Sequence, residues 1–138
     1  MKKPFKHQIT RLPKILTCQR DFYQIDAFMD MVENDAVNEV QGEIVMLTFD
    51  KEWYQVLPAL DGWMECFSNL AKAMHVNYDD APMRKMCARL NAVMPLSLKT
   101  VQEVKAVINA QRKLYMLAPH GIINQVANAL LHKEAAAA

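Results

Sequence analysis

Glycine and proline are scarce in this chain of 138 residues, which contains only three glycines and six prolines. Proteins built from many short strands need such residues at their tight turns, so their scarcity favours a mainly helical protein. Apolar runs are short as well, and none approaches the roughly 20 residues that a membrane-spanning helix requires. We therefore expect helices joined by short connections, with no membrane span.

Recognisable catalytic and metal-binding motifs are absent. No GxGxxG, P-loop, GxSxG or HExxH pattern occurs, and the four histidines are dispersed along the chain. Cys18, Cys66 and Cys87 form no CxxC pair, which excludes a zinc ribbon and a thioredoxin-like redox pair. Three dispersed thiols are typical of a reducing compartment, so we expect a cytoplasmic protein whose cysteines act as small apolar side chains. The sequence predicts no enzyme, no cofactor and no metal site.

Charge is sorted by segment. Residues 1–20 carry six basic side chains and no acid, whereas residues 21–50 carry eight acids and no lysine or arginine. Residues 51–80 hold two bases against five acids, and residues 81–138 hold eight bases against two acids, so the net charge of +1 conceals large local charges. Fields of this kind act on association and steering more than on the choice of fold. The acidic segment is expected either to face solvent or a basic partner, or to pack against the basic helices of its own chain.

Apolar residues recur at three- and four-residue spacings and predict a compact bundle of about five helices. The first helix begins at Asp21, and a regular series runs from Trp53 to Met74, either as one helix kinked at Pro58 or as a short helix followed by one beginning there. Further helices are predicted over 83–94, over 98–117 and over the final stretch. The helix over 98–117 is capped either by Ser97 or by a capping box of Thr100 and Glu103. The predicted organisation is a basic N-terminal arm at 1–20, one helical domain at 21–134 and an alanine tail at 135–138.

The stretch from 35 to 49 is ambiguous. Ile44 and Val45 follow Gly42 and fit a short buried strand, yet Val37, Val40, Ile44 and Leu47 also keep a helical spacing. Periodicity alone does not separate these alternatives in a short apolar run. We favour strand or irregular structure near residues 40–49.

The pair of predicted helices at 83–94 and 98–117 has the order of a helix-turn-helix. Polar side chains suited to phosphates or base edges gather on the face of the second helix opposite Val104 and Val107. With those of the preceding helix, they form the candidate contacts to nucleic acid or a protein partner: Arg84, Lys85, Arg89, Lys99, Gln102, Lys105, Asn109, Arg112 and Lys113. A solvated basic face in a helical bundle has the same pattern, and the second helix is longer than a usual recognition helix.

Ten methionines are an unusually large share and suit adaptable contact surfaces. Leu98 and Met116 fall on the basic side of their helix, where each is expected to be exposed or part of an interface. The sequence therefore favours a small non-enzymatic regulatory or adaptor protein that acts through a helix-mediated protein–protein interface, as a homodimer or with another protein. The alternative is a DNA- or RNA-binding protein that uses helix 98–117 and the basic arm.

Overall fold

The computed structural model describes residues 21–47 and 51–137, which contain five helices and three strands. In chain order these are α1 (Asp21–Glu33), β1 (Glu39–Val40), β2 (Glu43–Leu47), β3 (Trp53–Gln55), α2 (Val56–Met74), α3 (Ala81–Asn91), α4 (Leu98–Leu117) and α5 (His120–Ala137). The predicted fold, mainly helical with a short β segment, is confirmed. The predicted arm at 1–20 lies outside the described residues. No helix among those described is long and apolar enough to cross a membrane.

The three strands form one small antiparallel sheet in the order β1-β2-β3. Gln41 and Gly42 link β1 to β2 with φ angles of 54° and 82°, as a two-residue hairpin turn of the primed type requires. The buried side chains of Ile44 and Met46 belong to the hydrophobic core and hold β2 against the helices, and Val45 between them is buried as well. Strand is thus the correct alternative for the ambiguous stretch.

Helix α2 begins at Val56, so both predicted alternatives for residues 53–58 are wrong. Trp53 and Tyr54 belong to β3 and pair with Leu47 and Met46 of β2. Pro58 lies in the first helical turn, where the backbone N–H has no acceptor within the helix and its loss costs little. Trp53 is consequently half-buried in the sheet instead of lying on the apolar stripe of the helix.

The core is organised around α2, which packs against β2, β3, α3, α4 and α5. Trp63 and Phe67 on its inner face are completely buried. The ring of Phe22 from α1 meets the Trp63 ring edge to face, with centroids 4.8 Å apart, and also contacts Phe67. These aromatic contacts fix α1 onto the bundle.

A buried glutamine joins three parts of the bundle. Gln111 of α4 is fully buried, and its Oε1 accepts a hydrogen bond of 2.6 Å from Nε1 of Trp63 in α2. Its Nε2 donates a bond of 2.9 Å to the Tyr78 hydroxyl in the connection before α3, and also lies 3.8 Å from the Met83 sulfur. Every polar atom of the amide and the indole therefore has a partner, as burial requires. The bonds hold α4 in one rotational position.

The Asp80 carboxylate lies close to the Tyr78 hydroxyl, at the start of α3. Burial, together with the nearby Asp80 charge, raises the pKa of Tyr78 well above its usual range. Asp80 is itself buried and accepts a bond of 2.7 Å from Nε of Arg84, one turn further along α3. The buried carboxylate is thus compensated by a guanidinium, which also places the first turn of α3.

We predict that replacing Gln111 by Leu lowers the free energy of unfolding by about 2–4 kcal/mol, because the Trp63 indole N–H and the Tyr78 hydroxyl lose a buried partner. Urea denaturation measures the change. Gln125→Leu at an exposed position of α5 is the matched control and should change stability by less than about 0.5 kcal/mol. Equal effects of the two substitutions would contradict a structural role for the buried amide.

Candidate interaction surface

Gln111 determines which side of α4 faces outward. The inner side carries Val104, Ile108 and Leu114, all buried with Gln111 against the core. The opposite side carries exposed candidate contacts predicted from the sequence: Lys99, Gln102, Asn109 and Lys113. Ser97 begins the helix, as predicted, by accepting a bond of 3.1 Å from the Thr100 N–H. We call the side formed by Leu98, Lys99, Gln102, Ala106, Asn109, Ala110, Lys113, Met116 and Leu117 the outward face of α4.

Lys105 and Arg112 lie at the border of this face, where they pair with acids of α1. Lys105 Nζ is 2.7 Å from Oε1 of Glu33, and the Arg112 guanidinium bonds the Asp26 carboxylate. The guanidinium carbon of Arg112 also lies 5.2 Å from the centre of the Phe22 ring, within range of a cation–π contact. The expected packing of the acidic segment against the chain's own basic helices is confirmed for these two pairs. The positive charges of Lys105 and Arg112 are therefore paired within the molecule.

The remaining candidate residues lie on α3. Arg84 is bonded to Asp80, and Nε of Arg89 donates a bond of 3.1 Å to the Pro95 carbonyl in the connection between α3 and α4. Lys85 is exposed. The two arginines therefore position the ends of α3, while Lys85 remains available for an external contact.

The connection from α3 to α4 and the first residue of α4 expose apolar side chains. Val93 is 82% exposed and Leu98 is 68% exposed, with Met94 exposed between them. The predicted helix over 83–94 ends at Asn91, so Val93 belongs to this connection and not to the apolar side of α3. We call these three residues the hairpin tip.

Val93 ends its helix in a conformation that disfavours its side chain. Its φ is 56°, and the N–H groups of Val93 and Met94 donate to the carbonyls of Leu90 and Arg89, the bonding pattern of a Schellman motif. Asp35 and His75 occupy the same position after α1 and α2, and both residue types tolerate positive φ better than a β-branched one does. A strained, exposed valine is a feature of binding sites more than of stability.

A second apolar area lies at the other end of α4. Met116 is 73% exposed, and Leu117 beside it is exposed to a similar degree. The pairs of Asp26 with Arg112 and of Glu33 with Lys105 make α1 antiparallel to α4, which brings the exposed Tyr23 to the same end. We call Tyr23, Met116 and Leu117 the distal patch. The hairpin tip and the distal patch hold six of the eight exposed large apolar side chains among the described residues.

A shallow cleft of about 230 Å³ lies between α1 and α4. Its lining includes Asp26, Asp30, Lys105 and Arg112, so acids and bases face each other across it. Elsewhere, burial raises the pKa of the Cys87 thiol to about 12, which leaves the thiolate scarce at neutral pH. Within the described parts of the chain, no group of three or more His, Cys, Asp or Glu side chains is placed to hold a metal ion. The outward face of α4 is therefore the better candidate site.

Comparison with models of protein families, with curated proteins and with solved structures finds no match to this chain. The function must accordingly be argued from the surface itself.

Replacing Val93 by Gly is expected to raise the free energy of unfolding by about 1 kcal/mol, because glycine adopts positive φ without the steric cost that valine carries. Thermal or urea denaturation measures this. The control is Ala88→Gly, at an exposed position of α3, which should lower the free energy of unfolding by about 1 kcal/mol. A loss of stability in Val93→Gly would show that the valine side chain contributes contacts to the fold.

The pair of Asp26 and Arg112 is expected to be a structural contact. A double-mutant cycle with Asp26→Ala and Arg112→Ala should give a coupling energy of about 0.5–1 kcal/mol in urea denaturation, which falls as salt is added. The same cycle with Asp26→Ala and Lys113→Ala should give no measurable coupling. Coupling of similar size in both cycles would indicate a general field and not a specific pair.

Proposed function

We propose that this chain is a small non-enzymatic regulatory or adaptor protein that acts by binding another protein chain through the outward face of α4. The supporting observation is the concentration of exposed apolar side chains at the two ends of that face. Contiguous apolar patches of this kind mark interaction sites in stable proteins, because leaving them in water is unfavourable. A cytoplasmic location fits the two free, buried cysteines.

Charge on the outward face is consistent with a protein interface. Lys99 and Lys113 are separated by uncharged side chains that include Gln102 and Asn109, so the centre of the face is polar and weakly basic. Protein interfaces are enriched in aromatic and methionine side chains relative to the rest of the surface. Met94, Met116 and Tyr23 are side chains of the enriched types.

Nucleic-acid binding is the second candidate, because Lys85, Lys99, Gln102 and Lys113 are exposed and α3 and α4 follow one another as in a helix-turn-helix. Two observations weigh against it. Glu33 and Asp26 neutralise Lys105 and Arg112, and they place negative charge beside the surface that phosphates would approach. The first turn of α4, which reads bases in such proteins, begins with the exposed Leu98.

We predict that the double variant Leu98→Asp, Met116→Asp loses binding to the protein that accompanies the wild-type chain, because each substitution places a charge in an apolar contact. The matched control introduces the same two charges on α5, as Asn124→Asp with Asn128→Asp, and should retain binding. Affinity capture from the host, with hydroxyl-radical oxidation of Met94 and Met116 in the captured complex, gives the readout. Both methionines should be protected in the wild-type complex, and circular dichroism should show that both variants are folded.

Binding to a nucleic-acid duplex is the result that would contradict this proposal. If nucleic acid is the ligand, affinity should fall by about 0.9 log units per log unit of salt for each phosphate neutralised, and Lys99→Ala with Lys113→Ala should flatten that slope. Such a slope, together with full capture by the Asp double variant, would overturn the proposal in favour of the second candidate.

A further inference from the structure

We infer that the outward face of α4 pairs with the same face of a second copy of this chain, in an antiparallel arrangement about a two-fold axis. The inference rests on the proposed function, because it names the occupant of the same surface. It starts from the spacing of the two apolar areas along one helix.

Leu98 and Met116 are 18 residues apart, which is five helical turns of 3.6 residues and about 27 Å along the axis. They therefore lie on one line along α4, with one exposed apolar side chain at each end. A two-fold axis through the middle of that line, near residue 107, places Leu98 of each copy against Met116 or Leu117 of the other. The hairpin tip of each copy then covers the distal patch of its neighbour.

In this two-fold arrangement, all four apolar areas of the pair are covered at once. An interface that uses the same surface on both subunits must be self-complementary, and two different patches at equal distances from the axis meet that requirement. The match explains why the exposed apolar side chains lie at both ends of α4 and not at its centre.

The middle of the face suits close approach of two helices. Ala106 and Ala110 are exposed there and carry the smallest side chains of the face. Small residues at a crossing allow interaxial distances at the short end of the usual range of about 8–10 Å. In the antiparallel register Ala106 of one copy lies near Asn109 of the other.

Charge selects the antiparallel orientation over the parallel one. Parallel pairing in register would set Lys99 against Lys99 and Lys113 against Lys113, which is repulsive. Antiparallel pairing about residue 107 sets Lys113 near Gln102 of the second copy and within reach of the half-buried Glu103. None of the ion pairs among the described residues uses Lys113 or Glu103, so both charges suit a contact between copies.

Orientation is tested by cysteine crosslinking of the full chain in a Cys18→Ser background, in which Cys66 and Cys87 are retained because both are buried. Two single variants, Leu98→Cys and Met116→Cys, carry tags of different length and are oxidised separately and as a mixture. The mixture should give a covalent pair containing one chain of each length, and each variant alone should give little. Asn124→Cys on the exposed side of α5 replaces Met116→Cys in the control mixture and should give no pair.

Self-association is measured in parallel by light scattering over a range of concentrations. The wild-type chain should be a dimer, and Leu98→Asp should weaken it by roughly ten- to hundredfold because a buried leucine contact is lost twice. The dimer should persist as salt rises, since its main contacts are the apolar areas at the two ends of the face, whereas duplex binding weakens with salt.

A monomer at all concentrations, or crosslinks formed by each variant alone in place of the mixed pair, would overturn the inference. A different set of results tests the proposed function. Suppose that a monomeric chain captures a different protein that protects Met94 and Met116, and that the Leu98→Asp, Met116→Asp variant fails to capture it. In that case the face binds a heterologous partner, and only the dimer is wrong. If that variant loses nothing, both proposals are wrong.

Discussion

The hydrogen bonds of one buried glutamine determine what this protein shows to its surroundings. Gln111 lies on the inner side of α4, among apolar residues that include Val104, Ile108 and Leu114. Its bonds to Trp63 and Tyr78 add a directional constraint to this apolar burial, because a rotation of the helix would leave the buried Trp63 indole and the buried Gln111 amide without partners. The outward face, and every candidate contact on it, follows from that constraint.

Much of the fold was predictable because it depends on local spacing. The helical patterns from Asp21 and from Ser97 correspond to α1 and α4, and Ser97 caps α4 as the sequence predicts. The errors lie where pairing between distant residues decides. Trp53 continues the helical spacing of α2, yet its backbone joins β2 because the edge of a strand offers hydrogen bonds that periodicity does not record. Gln111 was missed for a similar reason, since a polar residue is assigned to solvent unless its buried partners are known.

The candidate site was predictable in part. The face opposite Val104 and Val107 does face outward for Lys99, Gln102, Asn109 and Lys113. Lys105 and Arg112 lie only slightly to one side of this face, where they form ion pairs with the acids of α1. In this region, the acids of α1 and the bases of α4 stabilise the fold by pairing with one another. The outward face of α4 is left weakly basic, with apolar side chains at its two ends. Such a surface is poorly suited to a continuous row of phosphates and better suited to another protein surface.

The scarcity of glycine connects the fold to the proposed interface. Three helices end in a left-handed residue, and in this chain Asp35, His75 and Val93 occupy positions that glycine would fill without strain. Aspartate and histidine bear that conformation at small cost, but a β-branched valine does not, and its side chain gains nothing from burial because it lies in water. In the proposed interface an apolar surface covers the Val93 side chain and removes its unfavourable exposure to water, while the strain of its backbone remains. On that proposal, the cost of a left-handed valine is offset by binding and not by the fold of the isolated chain.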